Sequence, residues 1–117
     1  MQEPTWVSDT LAEYVSKVNK LPLDMNFARA LIAPRPILCT ESLDGGGSLW
    51  AGPKSTVRMW RSADRVYALY GAAEDNLIHF RAGEHDQTAE DYRLMMAFAD
   101  HYFYGAPLDR AALRTGK

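Results

Sequence analysis

The chemistry-bearing residues of this chain gather in two short stretches. One reads Gly-Glu-His-Asp-Gln-Thr-Ala-Glu-Asp-Tyr over residues 83–92 and puts His85 between two acids. A histidine can take and return a proton near neutral pH, so it is a natural general base. His85 reads either as such a base, presented on a loop, or as a polar residue in an ordinary turn. The other stretch follows the apolar run Ile37-Leu38-Cys39-Thr40 and carries two acids, Glu41 and Asp44. A carboxylate that accepts a hydrogen bond from one imidazole nitrogen fixes the tautomer and stabilises the imidazolium. The other nitrogen is then left to act as base. Trp50 lies farther along the same stretch, either as a flat platform for a sugar ring or as a core residue.

These groups can meet only if the fold brings the two stretches together. Ile37 to Thr40 is a short continuous apolar run suited to a strand buried on both faces. Asn76-Leu77-Ile78-His79-Phe80 looks like a second strand, closed by Ala82 and Gly83. Val66-Tyr67-Ala68-Leu69-Tyr70 is also strand-like, or at least a short extended segment. Residues 55–62 read as a helix with Val57, Met59 and Trp60 partly inward. Residues 5–20 look helical, with Ser8 or Asp9 as cap and Leu11, Tyr14, Val15 and Val18 at helical spacing. Asp24 can cap a short helix over 25–32. Thr88 with Asp91 three residues on forms a capping box for the last helix, with Tyr92, Met95, Met96, Ala99 and Phe103 as its apolar stripe. Gly105 supplies a left-handed C-terminal cap. The polar tail, 106–117, is expected to be frayed or loosely packed.

Strand, loop, helix, strand, loop, helix predicts an α/β fold with parallel pairing. Ligands and catalytic groups of open parallel sheets collect beyond the carboxyl ends of the strands. Glu41 and Asp44 would follow one strand and His85 the next, side by side. A sheet this small leaves open edges that invite pairing with another chain. The isolated chain is therefore expected to self-associate, as a dimer or larger.

Acid before histidine is also the order found in α/β hydrolases. The runs Leu21-Pro22-Leu23-Asp24, Ala30-Leu31-Ile32-Ala33-Pro34-Arg35-Pro36-Ile37-Leu38 and Thr40-Glu41-Ser42-Leu43-Asp44 resemble the C-terminal third of the glucuronoyl esterases (carbohydrate esterase family 15) and related acetyl-xylan-esterase-like α/β hydrolases. Leu49-Trp50-Ala51-Gly52-Pro53-Lys54 resembles their Trp-Ala-Asp/Asn-Pro segment. Gly83 to Tyr92 matches their Gly-x-His-x-x-Thr-x-x-Asp-Trp/Tyr pattern. The resemblance covers residues 14–105 and implies a single partial α/β-hydrolase domain over 1–117, made of the C-terminal strands and helices of a parallel sheet. It gives His85 the position of the catalytic histidine. Asp44 fits the usual acid position and Glu41 is the alternative, the three glycines 45–47 lengthening this loop. Trp50 would face the sugar of a carbohydrate-linked ester. The reaction the resemblance implies, serine ester hydrolysis, needs neither metal nor organic cofactor.

The same resemblance shows what the 117 residues do not contain. Family members carry their serine in a Gly-x-Ser-x-Gly-like elbow upstream, and no such elbow occurs here. Ser48 lacks the strand, turn and helix setting. Without nucleophile and oxyanion hole, a base cannot support acyl transfer. The expectation is the C-terminal portion of a carbohydrate esterase, or else a stand-alone module that keeps the scaffold without the chemistry.

Composition excludes other classes. Apolar residues at 47% and charged residues at 24% suit a globular domain. Thirteen basic against fifteen acidic side chains, net −2, give no electrostatic footprint for nucleic acid or a membrane surface. One cysteine, Cys39, excludes an internal disulfide and reads as a buried, inert thiol. His79, His85 and His101 have no ligand spacing that would unite them as a metal site. His101 suits the negative end of its helix. The glycines lack the Lys-Ser/Thr of a phosphate loop. No basic-then-apolar leader opens the sequence, although the parent family is often secreted, so the compartment stays open.

Overall fold

A computed structural model describes residues 8–43, 52–84 and 86–114. Two parallel strands form its centre, β1 (Ile37–Ser42) and β2 (Asn76–Arg81), paired in register from Ile37 opposite Asn76 to Ser42 opposite Arg81. Both carboxyl ends therefore finish at the same level. The strands differ in burial. Leu77 and Ile78 of β2 are fully buried, whereas Ile37 to Glu41 of β1 are only half-buried. The expectation of a first strand buried on both faces is corrected here, because two strands and their helices cannot cover every face of β1.

Around this pair the described helices are α1 (Asp9–Ala12), α2 (Met25–Ala30), α3 (Pro53–Leu69) and α4 (Ala89–Tyr104). Ser8 caps α1 by accepting from the Leu11 N–H, and α1 is far shorter than the helix expected over 5–20. Beyond it come turns and a 3-10 stretch, Val18–Lys20. No residue of α1 is buried, so nothing rewards extending it. Asp24 caps α2 as expected, accepting from the Met25 N–H.

The largest departure is α3. It takes in Val66 to Leu69 and ends on Tyr70 as its C-cap, although residues 66–70 read as strand-like. Trp60, Ala63 and Tyr67 are its buried residues, at helical spacing on one face. The Tyr67 hydroxyl donates to the Arg35 carbonyl at 2.8 Å, and the Trp60 indole N–H donates to the Asn76 carbonyl at 2.8 Å. Burying two such rings contributes on the order of 1.5–3 kcal/mol each, which outweighs the modest β preference of Val66 and Tyr70.

The capping box of α4 forms as its sequence requires. Gly105 ends the helix in the left-handed region at φ 72°. Of the stripe read as its core face, only Ala99 is half-buried. Tyr92, Met95, Met96 and Phe103 are exposed, and the half-buried residues are Leu94, Ala97, Phe98, Ala99, His101 and Tyr102. Residues 106–114 of the tail are also firmer than expected. Leu113 is buried, Arg114 pairs with Asp64 at 2.9 Å, and Arg110 pairs with Asp75 at 3.0 Å. No helix among the described residues is long and apolar enough to cross a membrane.

Candidate functional site

The site the sequence points to lies beyond the carboxyl ends of β1 and β2. Parallel pairing brings the residues after Ser42 beside those after Arg81. The Leu43 N–H donates to the Arg81 carbonyl at 2.8 Å, carrying the ladder one residue past β1. The Ser42 hydroxyl donates to the Gly83 carbonyl. Each strand end thus holds the start of the other's loop.

Of the candidate residues, Glu41 is described. It lies inside β1, opposite Phe80, not in the loop after the strand. Its Oε2 accepts from the Thr56 hydroxyl at 2.7 Å, and Thr56 sits in the first turn of α3. The bond ties the strand end to the helix that follows it. Asp44, Trp50 and His85 fall outside the described residues. The structure sets Leu43, just before Asp44, against Arg81, and Gly83, two residues before His85, against Ser42.

Residues 82, 84 and 86 are held by Arg81, one of two buried and paired charges. Arg81, the last residue of β2, is 7% exposed and Asp91 is wholly buried. Arg81 Nε donates to Asp91 Oδ2 at 2.6 Å. Its remaining nitrogens turn to the loop. Nη1 donates to the carbonyls of Ala82 at 3.2 Å and Glu84 at 3.0 Å, and Nη2 donates to that of Asp86. Asp91 Oδ2 also accepts from the Thr88 N–H at 2.8 Å and the Thr88 hydroxyl at 2.9 Å. Burial pushes the Asp91 carboxyl up. The Thr88 and Arg81 bonds outweigh that and hold it below the usual carboxylate range. Asp91 Oδ1 is buried with no hydrogen-bond partner among the described residues.

Sequence reasoning found Asp91 as a helix cap but missed Arg81 altogether, because a strand-end arginine normally reads as solvated. The spacing Arg-x-Gly-x-His, with the capping acid ten residues after the arginine, was the available signal.

Among the described residues the other titratable groups form no second centre. His79 Nε2 lies 2.9 Å from Glu90 Oε1 at the surface. His101 Nδ1 lies 2.7 Å from the Ala106 carbonyl, a bond at the helix end where a structural histidine was expected. Cys39 is a half-buried free thiol, and burial pushes its pKa up, away from nucleophilic use. Arg58, Arg61 and Arg65 are exposed along α3, as a solvated set would be. Among the described residues no three metal-ligating side chains cluster.

Known proteins supply an independent line. The family model described as "Glucuronyl esterase, fungi" matches residues 1–71, more than half of the chain. The chain belongs to the glucuronyl esterase family. Carbohydrate esterase MZ0003, from an unknown prokaryotic organism, is 32% identical over 117 aligned positions, covering 87% of this chain and 26% of that protein. The 4-O-methyl-glucuronoyl methylesterase 1 of Phanerochaete chrysosporium is 32% identical over 72 positions, covering 62% of this chain and 15% of that protein. The 4-O-methyl-glucuronoyl methylesterase of Phanerochaete carnosa is 26% identical over 120 positions, covering all of this chain and 29% of that protein. The chain thus spans less than a third of the length of these curated relatives. The two broadest matches extend family similarity beyond residue 71, through the strand-end loop of β2.

Proposed function

We propose that this chain is the C-terminal portion of a serine carboxylic-ester hydrolase of the α/β-hydrolase fold, acting on a carbohydrate-linked ester such as a glucuronate ester. The observation that carries this reading is the in-register parallel pairing of β1 and β2. It supports the reading because Leu43, just before Asp44, meets Arg81, and Gly83, two residues before His85, meets Ser42. In the proposed reaction a serine hydroxyl, supplied from elsewhere in the fold, adds to the ester carbonyl while His85 takes its proton. The C–O bond to the alcohol then breaks and His85 returns that proton to the leaving oxygen. Water, activated by the same imidazole, releases the acid and restores the serine. Asp44, or Glu41 if it exchanges its bond to Thr56, would orient the imidazole, and Trp50 would bear on the sugar. The relatives' names, which specify glucuronoyl methyl esters and carbohydrate esters, support the substrate class.

The test is hydrolysis of a methyl glucuronate ester by a form of the protein that includes an upstream Gly-x-Ser-x-Gly elbow. His85→Ala is expected to cost about 10³-fold or more in kcat. An active parent whose rate survives that substitution rules out the assignment.

The exposed apolar face of α4 favours a second reading. Tyr92, Met96, Phe103 and Tyr104 are more than half exposed. In the isolated chain this face and the free strand edges would drive self-association. Light scattering at micromolar concentration is expected to give at least a dimer. A clean monomer with cooperative unfolding counts against it.

A further inference from the structure

The carbonyls of residues 82, 83, 84 and 86 are directed at side-chain donors from outside the loop. Three go to the Arg81 guanidinium and the fourth to the Ser42 hydroxyl. Such a loop would ordinarily leave these groups to water. The guanidinium that gathers them is itself buried, and so is its only carboxylate partner among the described residues, Asp91. Burying two charges costs more than most surface loops could justify on stability alone, and well-packed apolar residues often serve as well. Asp91 carries a further role, because its Oδ2 also closes the capping box that fixes the first turn of α4. The arrangement is therefore a bracket. One end is the last residue of β2, the other is the first turn of α4, and the loop between them is drawn onto the guanidinium from both sides of position 85. A lysine in place of Arg81 would supply a point charge but not the planar fork that spans Asp91 and three carbonyls.

We propose that Arg81 and Asp91 are positioning residues: together they fix the backbone at residues 82, 84 and 86, the two flanks from which His85 would act. This rests on the reading of His85 as the general base. Its structural half, the ordering of the loop, can be measured without any activity.

The experiment compares the wild-type chain with Arg81→Lys, Arg81→Met and the charge-free double variant Arg81→Met with Asp91→Leu. Backbone 15N relaxation is recorded at Ala82, Gly83, Glu84 and Asp86. Wild-type order parameters are expected near the rigid value of about 0.85, falling below about 0.6 in every variant that still unfolds cooperatively. Arg81→Lys keeps a charge beside Asp91 and guards against a simple failure to fold. Order parameters that stay at the wild-type value in a folded variant overturn the proposal. In an ester-hydrolysing form of the protein, Arg81→Lys should lower kcat by about 10²-fold with KM nearly unchanged. Loop order lost while kcat stands overturns the positioning role. A parent without esterase activity defeats the proposed function instead, and the relaxation data still decide whether the bracket orders the loop.

Discussion

Two arginines are buried among the described residues, one at each end of β2, and they are held in opposite ways. Arg29 comes from α2 and reaches the start of the strand. Its Nε donates to Asn76 Oδ1 at 2.8 Å and its Nη2 to the Leu77 carbonyl at 2.8 Å. Among the described residues it makes no ion pair, and burial pulls its pKa down from the usual arginine value. Asn76, wholly buried, passes the link on to the Trp60 carbonyl and to Asp64, which Arg114 also grips. This knot joins α2, α3, β2 and the tail. Arg81, at the other end, pairs directly with a carboxylate and spends its other donors on loop backbone. The first arginine joins elements that apolar packing already brings together. The second holds a segment with almost no apolar contact of its own, its described residues 82–84 and 86 being exposed. Neutral acceptors suffice for the one, whereas the other adds a carboxylate to its carbonyl acceptors.

Variants can separate the two roles. The largest loss is expected for Asp91→Ala, which leaves the Arg81 guanidinium buried without its partner and removes half of the capping box. About 3–5 kcal/mol should go, read from urea unfolding. For a chain of this size that approaches total stability, so Asp91→Asn, which keeps the shape, serves as the milder comparison. The same carboxyl sets an acid limit. Its folded pKa lies below its unfolded value, so its stabilisation is complete above the unfolded value near 4 and is lost as pH falls through the folded one. Denaturation midpoints taken from pH 6 down to pH 3 should drop in the wild type and drop less in Asp91→Asn. An unchanged acid limb in that variant would remove the ionic half of the comparison.

Arg29→Met is expected to cost about 1–3 kcal/mol, because the Asn76 and Leu77 acceptors lose their donors without leaving a stranded charge. The order of residues 82–86 should not change. Loosening of that loop by Arg29→Met would show that the two ends of β2 are one unit. The smallest effect is expected for Thr88→Ala, about 1 kcal/mol from the lost N-cap, seen as a lowered melting temperature with the Arg81 contact intact.

Much of the local structure could be read directly from residue order. Asp24, Thr88 with Asp91, and Gly105 each act through atoms within a few residues, so helix starts and the left-handed stop were legible. So was the second strand, whose apolar residues are contiguous. Residues 66–70 were misread because their β-branched and aromatic content was weighed over a few positions. The deciding pattern, Trp60, Ala63 and Tyr67, spans two turns of a longer helix. The α4 stripe was misread for another reason. That helix is apolar on more than one side, and spacing cannot say which side meets the sheet.

The candidate site divides along the same line. Residue types and order were enough to nominate His85, Glu41 and Asp44; the resemblance suggested the family, and it is the family that the comparisons bore out. Types and order were enough for the capping box as well, since three residues of chain close it. Only the tertiary structure turned Arg81 inward. Its partners include a helix cap ten residues away and carbonyls on both sides of position 85, and no propensity marks a strand-end arginine for burial. Tertiary structure also decided that Arg29 reaches Asn76 across 47 residues of chain. Local sequence determines what a backbone segment can become, because its hydrogen bonds are local. Where a charge may be buried is decided only when distant segments meet and supply the acceptors that replace water.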